Sequence, residues 1–411
     1  MATNSVEERV ICIEKSCTGC AACSNICPKG CITMVENSWG ESHPHIDKAT
    51  CIDCGRCYSV CPNNNRLNLL GSKCCYAAWR KNAHNRKDSS SGGVVALLYE
   101  KCFEKGWSVY GVEYNRSDGF NFTHALSKEE LGKYKGSKYV QANVGTIYQN
   151  VKEDLTNGKH VLFVGSPCQV AGLESFIKNT SGKKYRNNLV TVDFLCHGTV
   201  PQQYLLEEII AIEKKKKIQV EKVVFRSNDE KRNYYLTLFQ NDLVVYSKKA
   251  DKQRYFYCFL HSITCRESCL ECLYKQKSRV GDITVGDFIG IGRKTPIDIP
   301  IGINPSLVLV NSPNGEDIIK EIDDDCILFK RDIQEAIDGG PSFHSIGSVS
   351  KRRSVFKKYY PSYGFASAAD RAIKVEMNVK YYLISPALKF GRRVLRKVKC
   401  GIKKVKWHIL L

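Results

Sequence analysis

The chain has 411 residues, 43% of them hydrophobic, with 62 Lys and Arg against 42 Asp and Glu and a formal net charge of +20. That length allows two or three domains with sizeable cores. No run of about 18 apolar residues occurs, so no bilayer-spanning helix is expected. The charge is concentrated: from Ile346 onward there are 17 Lys and Arg, opposed only by Asp370 and Glu376.

Twenty-one cysteines would suggest disulfides in a small secreted chain. The start, MATNSVEERV, is polar and reads as no signal peptide, so a reducing, cytoplasmic setting is the expectation. Cys17 to Pro28 reads CTGCAACSNICP, and Cys51 to Pro62 reads CIDCGRCYSVCP. Each is C-x2-C-x2-C-x3-C-P, the run that ligates cubane clusters in bacterial two-cluster ferredoxins. Three thiolates on one loop cap three irons of one cube, and the fourth, before proline, reaches the other cube. The expected sets are Cys17, Cys20, Cys23 and Cys61 for one [4Fe–4S] cluster, and Cys51, Cys54, Cys57 and Cys27 for the second. Zinc is the alternative, but structural zinc sites usually set two C-x2-C pairs further apart. Between the motifs, CITMVENSWGESHPHID predicts a hairpin over the clusters. Cys12 and Cys31 fall outside the spacing and read as small buried apolar residues.

Ser89 to Gly93 reads as a loop at a helix start, and Val94 to Lys105 as an amphipathic helix closed by Gly106. A strand is expected near SVYGVEY and a helix over Tyr148 to Asn157. Then strand, turn and helix occur twice: HVLFVG into SPCQVAGLESFIK, and NLVTVDFL into CHGTVPQQYLLEEIIAIEKKKK. Continuous apolar strands in that order predict a parallel sheet buried on both faces. Chemistry in such sheets lies beyond the carboxyl ends of the strands, where Cys168 and Cys196 fall. KVVFRSN, YYLTLFQ and DLVVYSK read as strands, the last two as a hairpin across Asn241 and Asp242. GDITVGDFIG is a strand flanked by Asp282 and Asp287, and IGINPSLVLVNSPNGEDIIKEI adds a strand and a helix.

Cys269-x2-Cys272 is half a metal site that Cys168 and Cys196 can complete, with Cys265 as a rival ligand. The alternatives are ordinary buried cysteines, or a nucleophilic pair made by Cys196 and His197. The loops SSSGGV, GSKYV and GDITVGDFIG offer backbone donors suited to a phosphate, although none is a dinucleotide fingerprint. Lys138 reads as a phosphate partner or a solvated lysine, and Asp287 as an acceptor for a flavin or ribose or as a helix cap. Joining one-electron clusters to two-electron chemistry needs a centre that handles both, commonly a flavin. In the tail, Leu395, Val398, Ile402, Val405 and Ile409 repeat at helical spacing among lysines and arginines. This is a basic amphipathic helix for an anionic membrane surface, a helix packed on the protein or a partner, or a disordered tail. No nucleic-acid contact is expected, because stacking aromatics are not interleaved with the charges.

SSGGVVALL, GSKYVQ, VLFVGSPCQVAGL, VDFLCHGTVP, RESCLECLYK and DITVGDFIG, in that order, resemble the coenzyme F420 hydrogenase/dehydrogenase beta-subunit family over roughly Cys74 to Asp338. An N-terminal two-cluster ferredoxin is a common fusion there. The resemblance implies a flavoprotein with FAD and a further [4Fe–4S] cluster, exchanging electrons between clusters and a two-electron carrier, coenzyme F420 in archaeal members. It implies Cys168, Cys196, Cys269 and Cys272 as cluster ligands, and leaves Cys265 outside the fixed pattern. It implies an FAD site near Ser91, Gly92, Gly93, Ser137, Lys138 and Asp287. Two departures stand out: Arg266-Glu267-Ser268-Cys269 replaces the usual Arg-Pro-Ser-Cys, and Ile289 replaces an aromatic at the flavin end. Similar ferredoxin-fused bacterial proteins occur beside surface-polysaccharide enzymes.

The expected fold is α+β/α/β. A bacterial-type ferredoxin domain occupies 1–70, and 71–150 and 151–345 form the two parts of a mixed α/β flavin-binding domain with a partly parallel sheet. A basic amphipathic helical tail occupies 346–411. The expected function is an iron–sulfur flavoprotein oxidoreductase, with an electron-transfer subunit lacking its own substrate site as the alternative. No catalytic residue is assigned. Expected partners are a redox protein or ferredoxin, a small two-electron substrate, and peripheral contact with the inner face of the membrane through the tail.

Overall fold

The computed structural model describes residues 10–86, 89–182, 184–226, 234–344 and 351–378, with side chains to 373. At the N-terminus the two cysteine motifs fold alike. Gly19 and Asp53, third in each motif, have φ of 65° and 52°, and Ala21 and Gly55, fifth in each, have φ of 60° and 70°. These left-handed residues turn each loop sharply into a short helix, Ala22–Ile26 and Arg56–Val60. The hairpin expected between the motifs is β1 (Ile32–Glu36) with β2 (Ser42–Ile46), paired antiparallel.

The body is one eight-stranded mixed sheet. Its strands are β3 (Cys74–Arg80), β4 (Ser108–Asn115), β5 (Gly119–His124), β6 (Val161–Val164), β7 (Leu189–Phe194), β11 (Ile283–Asp287), β12 (Ser306–Val310) and β13 (Cys326–Lys330), in the order β13-β3-β12-β11-β7-β6-β4-β5. The four inner strands β11, β7, β6 and β4 run parallel, and antiparallel strands finish both sides. Because β3 pairs with β12 and β13, while β4 pairs with β6, the segments 71–150 and 151–345 are interwoven in one sheet. β6 shows why both faces are dry. Val161 and Phe163 join the apolar core on one face, and Leu162 and Val164 the core on the other, as the two-residue side-chain period of a strand requires. A separate antiparallel sheet carries β8 (Lys222–Val224), β9 (Tyr235–Gln240) and β10 (Leu243–Lys249). Its hairpin turns at Asn241 and Asp242, both left-handed at φ 48° and 58°, as a two-residue turn matched to strand twist needs.

The ferredoxin unit shares its core with the body. Ala22, Ile26 and Val60 pack in the same apolar cluster as Val170, Leu173 and Phe176 of the helix Pro167–Ser181. That helix begins with a capping box between Ser166 and Gln169 and with proline in its first turn. Side chains reinforce the seam: Ser175 Oγ donates to Val60 O at 2.7 Å, and Asn25 Nδ2 to Gly145 O at 2.8 Å.

After the sheet, the helix Lys351–Asn378 breaks at Gly364 (φ 70°), three residues past Pro361. Phe356, Tyr360 and Phe365 close around Tyr204. The amphipathic stretch from Leu395 to Ile409 lies outside the described residues. No described helix is long and apolar enough to cross a membrane.

Candidate functional site

The cysteines gather in three places. Cys17, Cys20, Cys23 and Cys61 lie within one another's electrostatic reach. They are all buried, and burial pushes the Cys20 thiol up to about 12. Cys51, Cys54 and Cys57 form a second group, with Cys54 exposed. Cys12 and Cys31 are more than small apolar fillers. Cys12 lies beside both Cys17 and Cys61, whose sulfurs push its thiol up. Cys31 lies 3.3 Å, sulfur to sulfur, from Cys27 and also hydrogen-bonds Cys51. The fourth cysteine of each motif therefore stands beside the first cysteine of the other. Backbone donors face the sulfurs at equivalent places: Asp53 N donates to Cys51 Sγ at 3.4 Å, and Gly19 N to Cys17.

The third gathering lies at the carboxyl edge of the parallel strands. Val164 of β6 is opposite Val192 of β7, and Phe194 of β7 is opposite Val285 of β11. Cys168, Cys196 and Asp287 thus leave the sheet at one edge. Cys168 lies within electrostatic reach of Cys196 and Cys272, and Cys269 within reach of Cys196, Cys168 and Cys265. Burial holds the Cys168 thiol high and lifts Cys196 to about 11. A nucleophilic cysteine needs the opposite shift. His197 turns away, with Nε2 3.3 Å from Leu260 O, so the structure gives no support to a Cys196–His197 pair. Among the described residues, no three His, Cys, Asp or Glu side chains close on a single metal-ion position.

Two residues tie this group to the first. A Cβ on Gly172 would stand 3.1 Å from Cys20 Sγ and 2.8 Å from Tyr148 OH. Arg266 is fully buried and donates through Nε to Cys17 O at 2.9 Å and through Nη2 to Ser42 O at 2.6 Å.

Beside the third group is a cavity of about 380 Å³, within the range of small-molecule and cofactor sites. Its walls include Ser91, Gly93, Ser137, Lys138 and Asp287, together with Cys196 and Thr199. Gly92 is turned into the sheet instead, where a Cβ would come 2.1 Å from Ala78 O. Lys138 does not stand free in its loop, because Nζ donates to Lys133 O at 2.9 Å and Lys135 O at 3.1 Å. Burial lowers its ammonium to about 7. Asp287 is no helix cap: Oδ2 accepts from Arg226 at 2.7 Å and from Tyr234 OH at 3.0 Å. Arg226, Tyr234 and Ser306 are cavity residues that the loop motifs did not disclose. Arg226 follows β8 by two residues, but β8 lies in the separate antiparallel sheet, to which the strand-end rule does not apply. Ser306 bonds Ser91 Oγ at 2.8 Å and Gly92 N at 3.0 Å. Two buried hydroxyls of this wall, Ser89 Oγ and Thr199 Oγ1, have no hydrogen-bond partner among the described residues.

Family models for the coenzyme F420 hydrogenase/dehydrogenase beta subunit match residues 75–148 (N-term) and 158–335 (C terminus). The chain belongs to this beta-subunit family. Ahead of the beta-subunit region, a 4Fe-4S dicluster domain matches residues 16–65. An uncharacterized protein of Methanocaldococcus jannaschii is 23% identical over 229 residues, 47% of this chain and 62% of that protein. The 7Fe ferredoxin of Hydrogenibacillus schlegelii is 42% identical over 52 residues, 12% of this chain and 60% of that ferredoxin. The chain therefore spans less than two thirds of the length of either relative. A chain of the F420-reducing [NiFe] hydrogenase complex from Methanosarcina barkeri, solved as a xenon derivative, superposes with a TM-score of 0.44 at 15% identity, over 75% of this chain and 92% of that one.

Proposed function

We propose that this beta-subunit-family chain is an iron–sulfur flavoprotein oxidoreductase. One observation carries the reading: the segment after β7 supplies Cys196 to the third cysteine group and a wall to the cavity, while Gly172 presses that group's helix against Cys20. Exposure falls from Cys54 to the buried set around Cys20, the helix that carries Cys168 abuts Cys20 at Gly172, and Cys196 lines the cavity.

Cys17, Cys20, Cys23 and Cys61 would hold one [4Fe–4S] cluster, and Cys51, Cys54, Cys57 and Cys27 the second. Cys168, Cys196, Cys269 and Cys272 would hold a third. The cavity fits FAD in its donor set. Hydroxyls of Ser89, Ser91 and Thr199 line it with Lys135, Lys138 and Arg226; Arg226 is paired with Asp287 and burial weakens the Lys138 charge, so the hydroxyls and loop N–H groups would be the main donors to a pyrophosphate. When bound, the clusters and the flavin supply one-electron transfer and its exchange with two-electron chemistry. Arg226 and Tyr234 hold Asp287 by its Oδ2, which fixes its carboxylate at the strand edge. Ile289, 45% exposed, stands at the mouth, where coenzyme F420 or another organic two-electron carrier would approach. The tail beyond Lys389 would give peripheral membrane contact. Flotation with anionic liposomes tests this, and equal partitioning of the full chain and a chain ending there rejects it.

Anaerobic purification with iron and flavin assay tests the main reading. About twelve irons per chain, three cubes of four, with flavin bands in the visible spectrum are expected. About eight irons and no flavin after reconstitution would remove both the third cluster and the FAD site.

A further inference from the structure

The turn after β7 touches two systems at once. Thr199 N donates to Cys269 Sγ at 3.3 Å, and the Gly198 N–H lies near enough to the Cys196 sulfur to favour its thiolate. The turn's main chain thus reaches the sulfurs of the third group. Thr199 is further clamped through its carbonyl, which accepts from Arg266 N at 2.8 Å, and Arg266 reaches on to Cys17 O. Gly198 allows the turn, since its φ of 133° disfavours any side chain. The Thr199 side chain has a different task. It lines the cavity, the residue is 8% exposed, and its Oγ1 is buried with no partner among the described residues. A buried hydroxyl without a partner is costly, so it marks a place where a ligand group belongs.

From this geometry we infer that Thr199 is a positioning residue that couples the cavity's ligand to the third cysteine group. Its hydroxyl hydrogen-bonds the polar edge of the flavin while its main-chain N–H holds Cys269 Sγ. The inference rests on the flavin and third-cluster reading above. Hydrogen bonds to cluster sulfurs tune their potential. Flavin binding that shifts the Thr199 backbone therefore alters the third cluster, and reduction of that cluster alters flavin affinity by the same factor.

The test uses the full chain, reconstituted anaerobically with iron and sulfide and then titrated with FAD by fluorescence quenching. Thr199→Val removes the hydroxyl and keeps shape and N–H, and Thr199→Ser keeps the hydroxyl. Thr199→Val should retain wild-type iron content and bind FAD about 3- to 10-fold more weakly, the loss of about one neutral hydrogen bond. Thr199→Ser should bind like wild type. After reduction with excess dithionite, the third cluster's electron paramagnetic resonance signal should differ with and without bound FAD in wild type and in Thr199→Ser, but not in Thr199→Val. If valine lowers iron content, Thr199→Ala supplies the same comparison. Unchanged FAD affinity and an unchanged spectral response in the hydroxyl-free variant would overturn the coupling and leave the flavin site standing. A wild-type chain that takes up iron for three clusters but no flavin overturns both.

Discussion

At Gly172 the helix Pro167–Ser181 has no room for a side chain. A methyl there meets Tyr148 OH at 2.8 Å and Cys20 at 3.0 Å, and Tyr148 is held by its bond to Gln169 O. Gly172→Ala must displace the Cys20 loop, at a cost of about 1–3 kcal/mol. Thermal unfolding should show that loss, and iron assay should show depletion of the first ferredoxin cluster. Cys168→Ser, a turn earlier, should instead remove about four irons, one cube, and leave the ferredoxin's eight; iron content equal to wild type would refute its ligand role. At this scale the ferredoxin cysteines were legible because their spacing is local. The neighbourhood of Cys12 and Cys31 was not, since each meets a cysteine from the other motif only in the folded unit. Thr199 was equally hidden. Its two roles depend on Cys269, seventy residues on, and on a cavity wall with no local signature.

Strands β6 and β7 were legible as elements because unbroken apolar runs permit little else between two helices. β3, β5 and β13 were not. CCYAAWR in β3 has no clear period, and its partners β12 and β13 lie more than two hundred residues away. The inner strands are held by buried charge as well as by apolar contact. Arg279 and Asp193 pair at 3.1 Å with almost no exposure, and Asp193 also accepts from Gly281 N at 3.1 Å. Arg279→Leu strands the carboxylate and should cost about 3–5 kcal/mol in chemical unfolding. Glu174, whose carboxylate accepts from Thr191 Oγ1 of β7 at 3.2 Å, responds to pH. Burial holds its carboxyl up at about 7, against an ordinary 4.5, despite Arg186 at 3.1 Å. The folded chain keeps a proton that the unfolded chain has released between those values. The stability this carboxyl contributes is full below the lower value and lost as pH rises through the upper one, up to about 3 kcal/mol. Melting curves of Glu174→Gln should show a smaller fall in stability from about pH 5 to about pH 8 than wild type.

Across the whole molecule, the helix Lys351–Asn378 fastens the ferredoxin to the body from outside the family-matched region. Arg353, 4% exposed, pairs with Glu267 at 2.7 Å and Glu41 at 4.0 Å, and donates to Cys265 O. Lys357 joins Glu267 and lies 4.0 Å from the Trp39 ring. Glu41 and Trp39 belong to the hairpin turn over the clusters, and Glu267 to the segment that delivers Cys269. Arg353→Ala leaves two carboxylates under-neutralised and should cost about 3 kcal/mol. Hydrogen exchange in 32–46 should rise while exchange in β6 and β7 stays unchanged. The sequence marked this region as a basic helical tail but not as a clasp, because the partners of Arg353 lie some 86 and 312 positions earlier in the chain. The clasp also sets an order of assembly. The hairpin leaves the ribosome about three hundred residues before the helix that covers it, so at about 5–20 residues per second the ferredoxin unit stays unclasped for roughly 15–60 s. Metal delivery to the buried Cys17, Cys20, Cys23 and Cys61 after this interval meets a closed ionic seam, whereas Cys54 stays exposed, so a chain carrying Lys351–Asn378 ahead of the ferredoxin should fill its first cluster more slowly than its second.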